Sequence, residues 1–210
     1  MAVFQYEIGN QRNYVYLIES EGHAFVVDPQ KDMDLWEADL EKLGAKLEGI
    51  LLTHTHWDHV LGLATTVRKY MVPIFVHEKE VHRLGKEPQP VHDHLQVLGE
   101  SLDLGSLKIH VIHAPGHSSG EVCFLIKNES APWEILTGDA VFVGTVGRTD
   151  LPTGSTAIML ETLKMLRELP DDTVIYPGHN YGRTATSTIG EEKKTECWNV
   201  KSVEEFDALP

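Results

Sequence analysis

The segment Thr53–His59, which reads T-H-T-H-W-D-H, constrains this chain more than any other stretch. It follows the apolar run Ile50–Leu52, typical of a buried strand, and a helical pattern begins after it. Because side chains two apart on an extended segment point the same way, the first two histidines can share one ion. A turn after Trp57 would aim the remaining two ligands at a neighbouring position. Four good metal ligands in six positions favour a metal site over a polar surface loop: His54, His56, Asp58 and His59.

Three more ligands stand at predicted strand ends. His117 and His179 each follow a Pro-Gly turn, and Asp139 follows a short apolar strand that ends in glycine. Any one of them alone is more often a simple turn residue. His113 is an alternative to His117, but its position inside a strand favours packing or support of the site. Taken with the run Thr53–His59, and in this order along the chain, His117, Asp139 and His179 predict a dinuclear metal site.

The seven side chains divide into two ligand sets. Metal 1 is assigned His54, His56 and His117, and metal 2 is assigned Asp58, His59 and His179. Asp139 would bridge the pair through its two oxygens. Two ions ~3.5–4 Å apart can share a hydroxide whose pKa falls towards ~7, which supplies a nucleophile without Ser or Cys. Nitrogen and oxygen ligands without thiolate suit zinc, with iron and manganese as alternatives.

The remaining pattern predicts an α/β fold of two sheets sandwiched by helices, in a single domain over residues 1–210 with a short helical tail from about residue 187. A first helix from Asp32 or Asp34 would bury Trp36, Leu40 and Leu43 and stop at Gly44. The polar segment Gly85–His94 is the candidate for a mobile flap, or a plain connecting loop. Strands are predicted near Val3–Ile8, Tyr14–Ile18, Ala24–Asp28, Leu47–Thr53, Pro73–Val76, Ser101–Leu104, Leu107–Ile112, Val122–Ile126, Glu134–Thr137 and Thr173–Tyr176.

Charge and composition narrow the partners and the compartment. A formal net charge of −14 argues against affinity for nucleic acid or for an anionic membrane surface. The start of the chain lacks a basic segment followed by an apolar one, and no apolar run approaches the ~18 residues that span a bilayer. Cys123 and Cys197 are expected to be free thiols, as in a reducing compartment. These features predict a cytoplasmic protein that acts on a small molecule.

The order H-x-H-x-D-H, a downstream His, an Asp after Thr-Gly and a final Gly-His resembles the metallo-β-lactamase superfamily. The resemblance covers nearly the whole chain. It implies a four-layer αββα sandwich with a metal site at one edge of the sheets. It also implies a metal-dependent hydrolase.

Two branches of that superfamily fit the finer pattern. The segment Gly144–Ser155, containing G-R-T-D, is similar to glyoxalase II-like hydrolases and to persulfide dioxygenases, both of which act on glutathione derivatives. Trp57 and the order Pro-Gly before His179 resemble the hydrolases. The resemblance therefore predicts a glyoxalase II-like (hydroxyacylglutathione hydrolase-like) thioesterase, cleaving an acyl-glutathione or similar thioester by attack of a metal-bridging hydroxide.

The alternative is a mononuclear non-haem iron persulfide dioxygenase acting on glutathione persulfide. In it only His54, His117 and Asp139 would hold the metal. The segment after His179 is too short for the helical substrate domain of longer glyoxalase II enzymes. The thioester could therefore carry a thiol other than glutathione.

The resemblance also suggests which side chains act on substrate. Asp139 and Asp58 are the predicted catalytic carboxylates, the latter as an acceptor of the nucleophile's proton besides its ligand role. Arg148 is a candidate clamp for a substrate carboxylate, since guanidinium binds carboxylate through two hydrogen bonds. An equally good interpretation pairs it structurally with Asp150. Two further candidates follow the last histidine, in a turn where exposed side chains are common: Tyr181 and Arg183.

Overall fold

The computed structural model describes residues 1–84 and 90–209. They form two compact units, Met1–Val111 and Ile112–Pro210. Each unit contains strands and helices with its own hydrophobic cluster. The α/β class predicted from the sequence is confirmed.

The first unit is built on a six-stranded mixed sheet in the order β1-β2-β3-β4-β5-β6. Strands β1 to β3 are antiparallel, and β3 to β6 are parallel to one another. Strands β7 and β8 do not belong to this sheet and are antiparallel to each other. The strands are β1 (Ala2–Ile8), β2 (Asn13–Ser20), β3 (His23–Val27), β4 (Lys46–Leu51), β5 (Ile74–Val76), β6 (Leu95–Val97), β7 (Ser101–Leu104) and β8 (Leu107–His113). The helices are α1 (Asp34–Leu43), α2 (Leu63–Tyr70) and α3 (Val81–Leu84).

Helix α1 covers the core of this unit with one face. Trp36 is fully buried and Leu40 is 5 % exposed, as the helical spacing predicts. Leu43, predicted on the same face, is instead 40 % exposed. It occupies the last turn, directly before Gly44, whose left-handed φ of 61° ends the helix.

The second unit contains a sheet whose strands lie in the order β14-β13-β10-β9, plus a two-stranded ribbon of β11 and β12. Strand β10 runs parallel to β13 and antiparallel to β9. Ser155 caps helix α4 by accepting a hydrogen bond from Ile158 N. The strands are β9 (Val122–Ile126), β10 (Glu134–Gly138), β11 (Val141–Phe142), β12 (Thr145–Val146), β13 (Val174–Pro177) and β14 (Ser187–Thr188). The helices are α4 (Thr156–Leu166), α5 (Ile189–Glu192) and α6 (Val203–Asp207).

The structure departs from the sequence prediction in the shortest elements. The tail begins with strand β14 before its two short helices, and strands β6, β11 and β12 are additional. Of the segment proposed as a flap, residues 85–89 lie outside the described residues, and Val91–His94 forms a 3₁₀ helix. Two- and three-residue strands carry too few side chains to produce a readable alternation.

The sequence predicts free cysteines and no segment that spans a membrane, and both predictions can be compared with the structure. Cys123 and Cys197 are both buried and not disulfide-bonded. Burial raises the pKa of the Cys123 thiol well above its usual value, and the nearby Glu121 carboxylate adds to this rise. Among the described residues, no helix has the length and apolar character needed to cross a membrane.

Helix α1 provides a matched test of its packing. Leu40→Ala should lower the free energy of unfolding by about 2–5 kcal/mol because it removes a buried side chain. Leu43→Ala should change it by less than about 0.5 kcal/mol, since its side chain is largely in solvent. Urea denaturation of both variants measures the difference. Equal losses would contradict the described orientation of the helix.

Candidate metal centre

The histidine run lies at the carboxyl end of β4, and its three histidines are buried. The rings of His54 and His56 have centroids 4.6 Å apart, and that of His59 lies 4.2 Å from His54. The backbone N–H of His59 donates to the His56 carbonyl over 3.0 Å, which forms the turn predicted after Trp57. In contrast to the ligands, Trp57 is 63 % exposed. The first unit thus gathers four of the predicted ligands, including Asp58, whose Oδ2 lies 3.7 Å from His59 Nε2.

Asp28 anchors this run through both of its carboxylate oxygens. Strands β3 and β4 are parallel, with Val27 opposite Leu51, so Asp28 and Thr53 follow the two strands at one edge of the sheet. Oδ1 accepts from the Thr53 backbone N–H at 2.9 Å, and Oδ2 accepts from the Thr53 hydroxyl at 2.6 Å. The same Oδ2 lies 2.9 Å from Nδ1 of His59.

The Asp28 hydrogen bonds fix which nitrogen each ring offers. His59 donates through Nδ1 to Asp28, which leaves Nε2 as the electron-pair donor. The Thr53 hydroxyl already donates to Asp28, so its oxygen accepts from Nδ1 of His54, 3.1 Å away. Both rings are therefore held in the tautomer that exposes Nε2 to a metal.

Asp58 is held by two side-chain amides. Asn13 Nδ2 donates to Asp58 Oδ2 at 3.0 Å, and Gln30 Nε2 donates to the Asp58 backbone carbonyl. Both amide side chains are buried. These bonds orient a carboxylate that a surface turn would leave free to rotate.

The second unit gathers the other three ligands. Strands β10 and β13 are parallel neighbours, so Asp139 and His179, which follow them, meet at one edge of the sheet. Oδ2 of Asp139 lies 3.4 Å from Nε2 of His179 and 3.5 Å from Nε2 of His117. The same carboxylate oxygen thus faces both histidines.

These separations fit shared metal coordination better than hydrogen bonds. A hydrogen bond from nitrogen to oxygen is normally about 2.7–3.2 Å long. Two ligand atoms each about 2.0–2.1 Å from a tetrahedral zinc ion stand roughly 3.3–3.4 Å apart. The Nε2–Oδ2 distances of 3.4 and 3.5 Å are close to the second value. The donor set and its spacing therefore fit a divalent metal.

Backbone groups hold this second ligand set. Nδ1 of His117 lies 2.8 Å from the carbonyl oxygen of Arg148, which again leaves Nε2 for a metal. The Asp139 N–H donates to the fully buried Glu121 over 2.9 Å. A Cβ at Gly178 would collide with Asp139 Oδ1, so this glycine permits the close approach.

The predicted substrate residues lie differently from the ligands. Arg148 is bound by two hydrogen bonds of 2.7 Å to the Asp150 carboxylate, and this pairing lowers the pKa of Asp150. Tyr181 is half-exposed and stacks on His179 with the ring centroids 4.6 Å apart and the planes 8° from parallel. Arg183 is exposed. The structural pairing of Arg148 with Asp150 is therefore present, and the clamp role stays a prediction.

Sequence reasoning missed the residues that support the ligands. Asp28, Asn13 and Glu121 were not singled out, because each meets its ligand through a distant part of the chain. The one available signal was an acidic residue directly after the apolar strand Phe25–Val27, next to a parallel neighbour. The Nε2 atom of His113 lies 2.9 Å from the carbonyl oxygen of Ser119, and its role in support of the site stays a prediction.

Comparison with known proteins identifies the family. Residues 8–179 match the model of the metallo-β-lactamase superfamily. The chain belongs to this superfamily. Its fold carries histidine–aspartate clusters able to bind metal ions, as in the metal-dependent hydrolases that the superfamily comprises.

Curated relatives include named hydrolases. The chain is 36 % identical to a hydroxyacylglutathione hydrolase of Aeromonas salmonicida over 80 % of its length and 61 % of that protein. It is 31 % identical to a hydroxyacylglutathione hydrolase of Francisella tularensis over 81 % of its length and 64 % of that protein. The chain thus spans less than two thirds of these hydrolases. An uncharacterised protein of Mycobacterium leprae matches over 86 % of this chain and 89 % of its own, at 32 % identity.

Solved structures confirm the predicted metallo-β-lactamase-type sandwich. ETHE1 from Myxococcus xanthus aligns with a TM-score of 0.82 and 26 % identity, over 100 % of this chain and 92 % of that one. A metallo-β-lactamase from Staphylococcus aureus aligns with a TM-score of 0.85 and 26 % identity, over 100 % of this chain and 67 % of that one. A protein crystallised in a di-iron-bound form aligns with a TM-score of 0.75 and 31 % identity, over 92 % of this chain and 98 % of that one.

The role of Asp28 in orienting the ligands is open to a direct test. Asp28→Asn places an amide where three donors now meet a carboxylate, so metal affinity should fall about 10–100-fold. Titration with zinc against a competing chelator measures it. The matched control is Asp172→Asn, at an exposed position. If both variants bind zinc within twofold of the parent chain, Asp28 does not orient the ligands.

Proposed function

We propose that this chain is a dinuclear metal hydrolase of the glyoxalase II-like type, cleaving an acyl-glutathione or a similar thioester. The observation that carries the proposal is the Asp139 carboxylate, one oxygen of which faces the Nε2 atoms of two histidines. A carboxylate in that position suits a bridge between two ions. Relatives named hydroxyacylglutathione hydrolase, 31–36 % identical, support the thioester as substrate.

The proposed ligand sets are those expected from the sequence. His54, His56 and His117 would hold one ion. Asp58, His59 and His179 would hold the other, with Asp139 shared. Two such ions, zinc in the first instance with iron or manganese as alternatives, lower the pKa of water towards ~7 and polarise a carbonyl.

The chain's own side chains prepare this site before substrate arrives. Asp28 and the Arg148 carbonyl hold their histidines with Nε2 available, so no rotation is needed on binding. Asn13 occupies one lone pair of Asp58 Oδ2, which fixes the direction of that carboxylate. Such pre-oriented groups reduce the reorganisation that a reaction would otherwise require. Asp58 is also the proposed acceptor of a proton from the attacking water.

Substrate contacts are proposed for three exposed side chains near the second ligand set. Arg148 would bind a substrate carboxylate after exchanging its Asp150 partner, which costs little because both side chains are in solvent. Tyr181 offers an exposed ring face beside His179, and Arg183 follows it at the surface. The proposed partner is a small thiol-derived molecule, without nucleic acid or membrane.

A second candidate function is a mononuclear iron persulfide dioxygenase. The likeness to ETHE1 over the whole chain fits this alternative. In that case His54, His117 and Asp139 alone would hold one iron.

Metal content and two assays separate the candidates. The hydrolase is expected to bind two ions per chain and to cleave S-lactoylglutathione without consuming oxygen. Elemental analysis, the thioester assay and oxygen uptake with glutathione persulfide are measured on one preparation. One iron per chain with oxygen uptake and no thioester cleavage would reject the hydrolase.

Asp139→Asn tests the shared carboxylate. The variant should lose more than about 100-fold in kcat and bind less than two ions per chain, because an amide is a poor bridging ligand. The control is again Asp172→Asn. Unchanged metal content and unchanged rate would remove Asp139 from the site.

Arg148→Ala tests the proposed clamp. The contact with His117 is made by the backbone carbonyl of this residue, which alanine keeps, so metal content should stay at the parent value while KM rises about tenfold. Asp150→Asn, which frees the guanidinium, should leave KM equal or lower. An unchanged KM in Arg148→Ala would reject the clamp.

A further inference from the structure

A cavity of about 460 Å³ opens in the first unit beside the histidine run. Its volume lies within the range of roughly 300–1,000 Å³ usual for small-molecule sites. One of the ligand histidines, His56, forms part of its wall, so the cavity adjoins the proposed metal centre. The lining includes Lys31, His56, Trp57, Val60, Leu61 and Arg83.

The charge in this cavity is opposite to that of the chain. The formal net charge is −14, yet both formally charged side chains in the lining are cations, Lys31 and Arg83. Lys31 is exposed. The carboxylate of Glu80, which is fully buried and accepts from the Thr55 hydroxyl, stands 3.9 Å from the Arg83 guanidinium Nε. At that distance the guanidinium keeps donors available for an anion.

An apolar surface adjoins these cations. Trp57 is 63 % exposed although it stands between buried His56 and partly buried Asp58, two of the proposed ligands. Trp57, Lys31 and Leu61 also line a second cavity, of about 580 Å³. An exposed indole beside a reacting centre is a typical surface for packing a substrate's carbon chain.

We propose that the 460 Å³ cavity is a substrate subsite for a carboxylate carried on a short apolar stem. Lys31 and Arg83 bind the carboxylate, and Trp57 covers the stem. The inference rests on the proposed thioesterase activity, since His56 in the wall puts the cavity beside the proposed metal centre. The carboxylate belongs either to the acyl half or to the thiol half of the thioester, and matched substrates distinguish the two.

Two pairs of thioesters test the preference. In the acyl pair, N-acetylcysteamine carries either a glutaryl group or the same group with its terminal carboxylate replaced by an amide. In the thiol pair, an acetyl group is carried by N-acetylcysteine or by N-acetylcysteamine, which differ only in one carboxylate. The metal-loaded protein should favour the anionic member of one pair about tenfold or more in kcat/KM, and that pair names the half that carries the carboxylate.

Variants connect the preference to the two cations. Lys31→Gln and Arg83→Gln should each lower the preference at least threefold, whereas Arg83→Lys should retain it. The control is Lys42→Gln, an exposed lysine on helix α1 outside the cavity, which should leave the preference as it is. Arg83→Gln removes a cationic neighbour of buried Glu80 and can therefore impair folding. If it does, Lys31→Gln alone tests the subsite. An equal preference in the parent chain and in Lys31→Gln would overturn the subsite.

Direct binding separates this proposal from the proposed function. Calorimetry of the metal-loaded protein with hexanoate and with hexanamide measures the carboxylate preference without turnover. Lys31→Gln should raise the Kd for hexanoate at least fivefold, and it should leave that for hexanamide within twofold. If no thioester is cleaved but hexanoate shows this pattern, the subsite stands and the thioesterase fails. If thioesters are cleaved without charge preference and hexanoate binds both chains alike, the thioesterase stands and the subsite fails.

Discussion

The carboxylate of Asp28 is the constraint on which the first ligand set depends. It accepts hydrogen bonds from the backbone N–H and the hydroxyl of Thr53 and from the ring of His59. One buried group therefore fixes both the start and the end of the histidine run. Asp28 itself has a left-handed φ of 49°, uncommon for a residue with a side chain. The three hydrogen bonds offset the cost of that conformation.

Parallel strand neighbours explain how ligands far apart in sequence come together. Strands β3 and β4 bring Asp28 to Thr53, and strands β10 and β13 bring Asp139 to His179. Parallel strands end at the same edge of their sheet, so loops that follow them present their side chains in one region. In both units, proposed metal ligands lie just beyond such an edge.

The proposed ligands were easier to recognise in the sequence than the residues that support them. Spacing alone identified the run from His54 to His59, since four ligands so close have few other interpretations. The supports could not be read in this way, because Asn13 and Glu121 become neighbours of their ligands only after distant strands pair. Leu43 was misplaced for a local reason, as the helical period stops constraining a side chain where the helix ends. The ion pair of Arg148 with Asp150 was one of two interpretations that two-residue spacing allowed.

The ring of His117 is oriented by the backbone carbonyl of Arg148. A carbonyl oxygen survives every substitution, so the side chain at this position is free to vary while the ring it supports stays in place. The outer surface of the loop and its inner, ligand-holding surface can therefore change independently. A scaffold built in this way can acquire new specificities by altering its loops, without first having to rebuild the centre that performs the reaction.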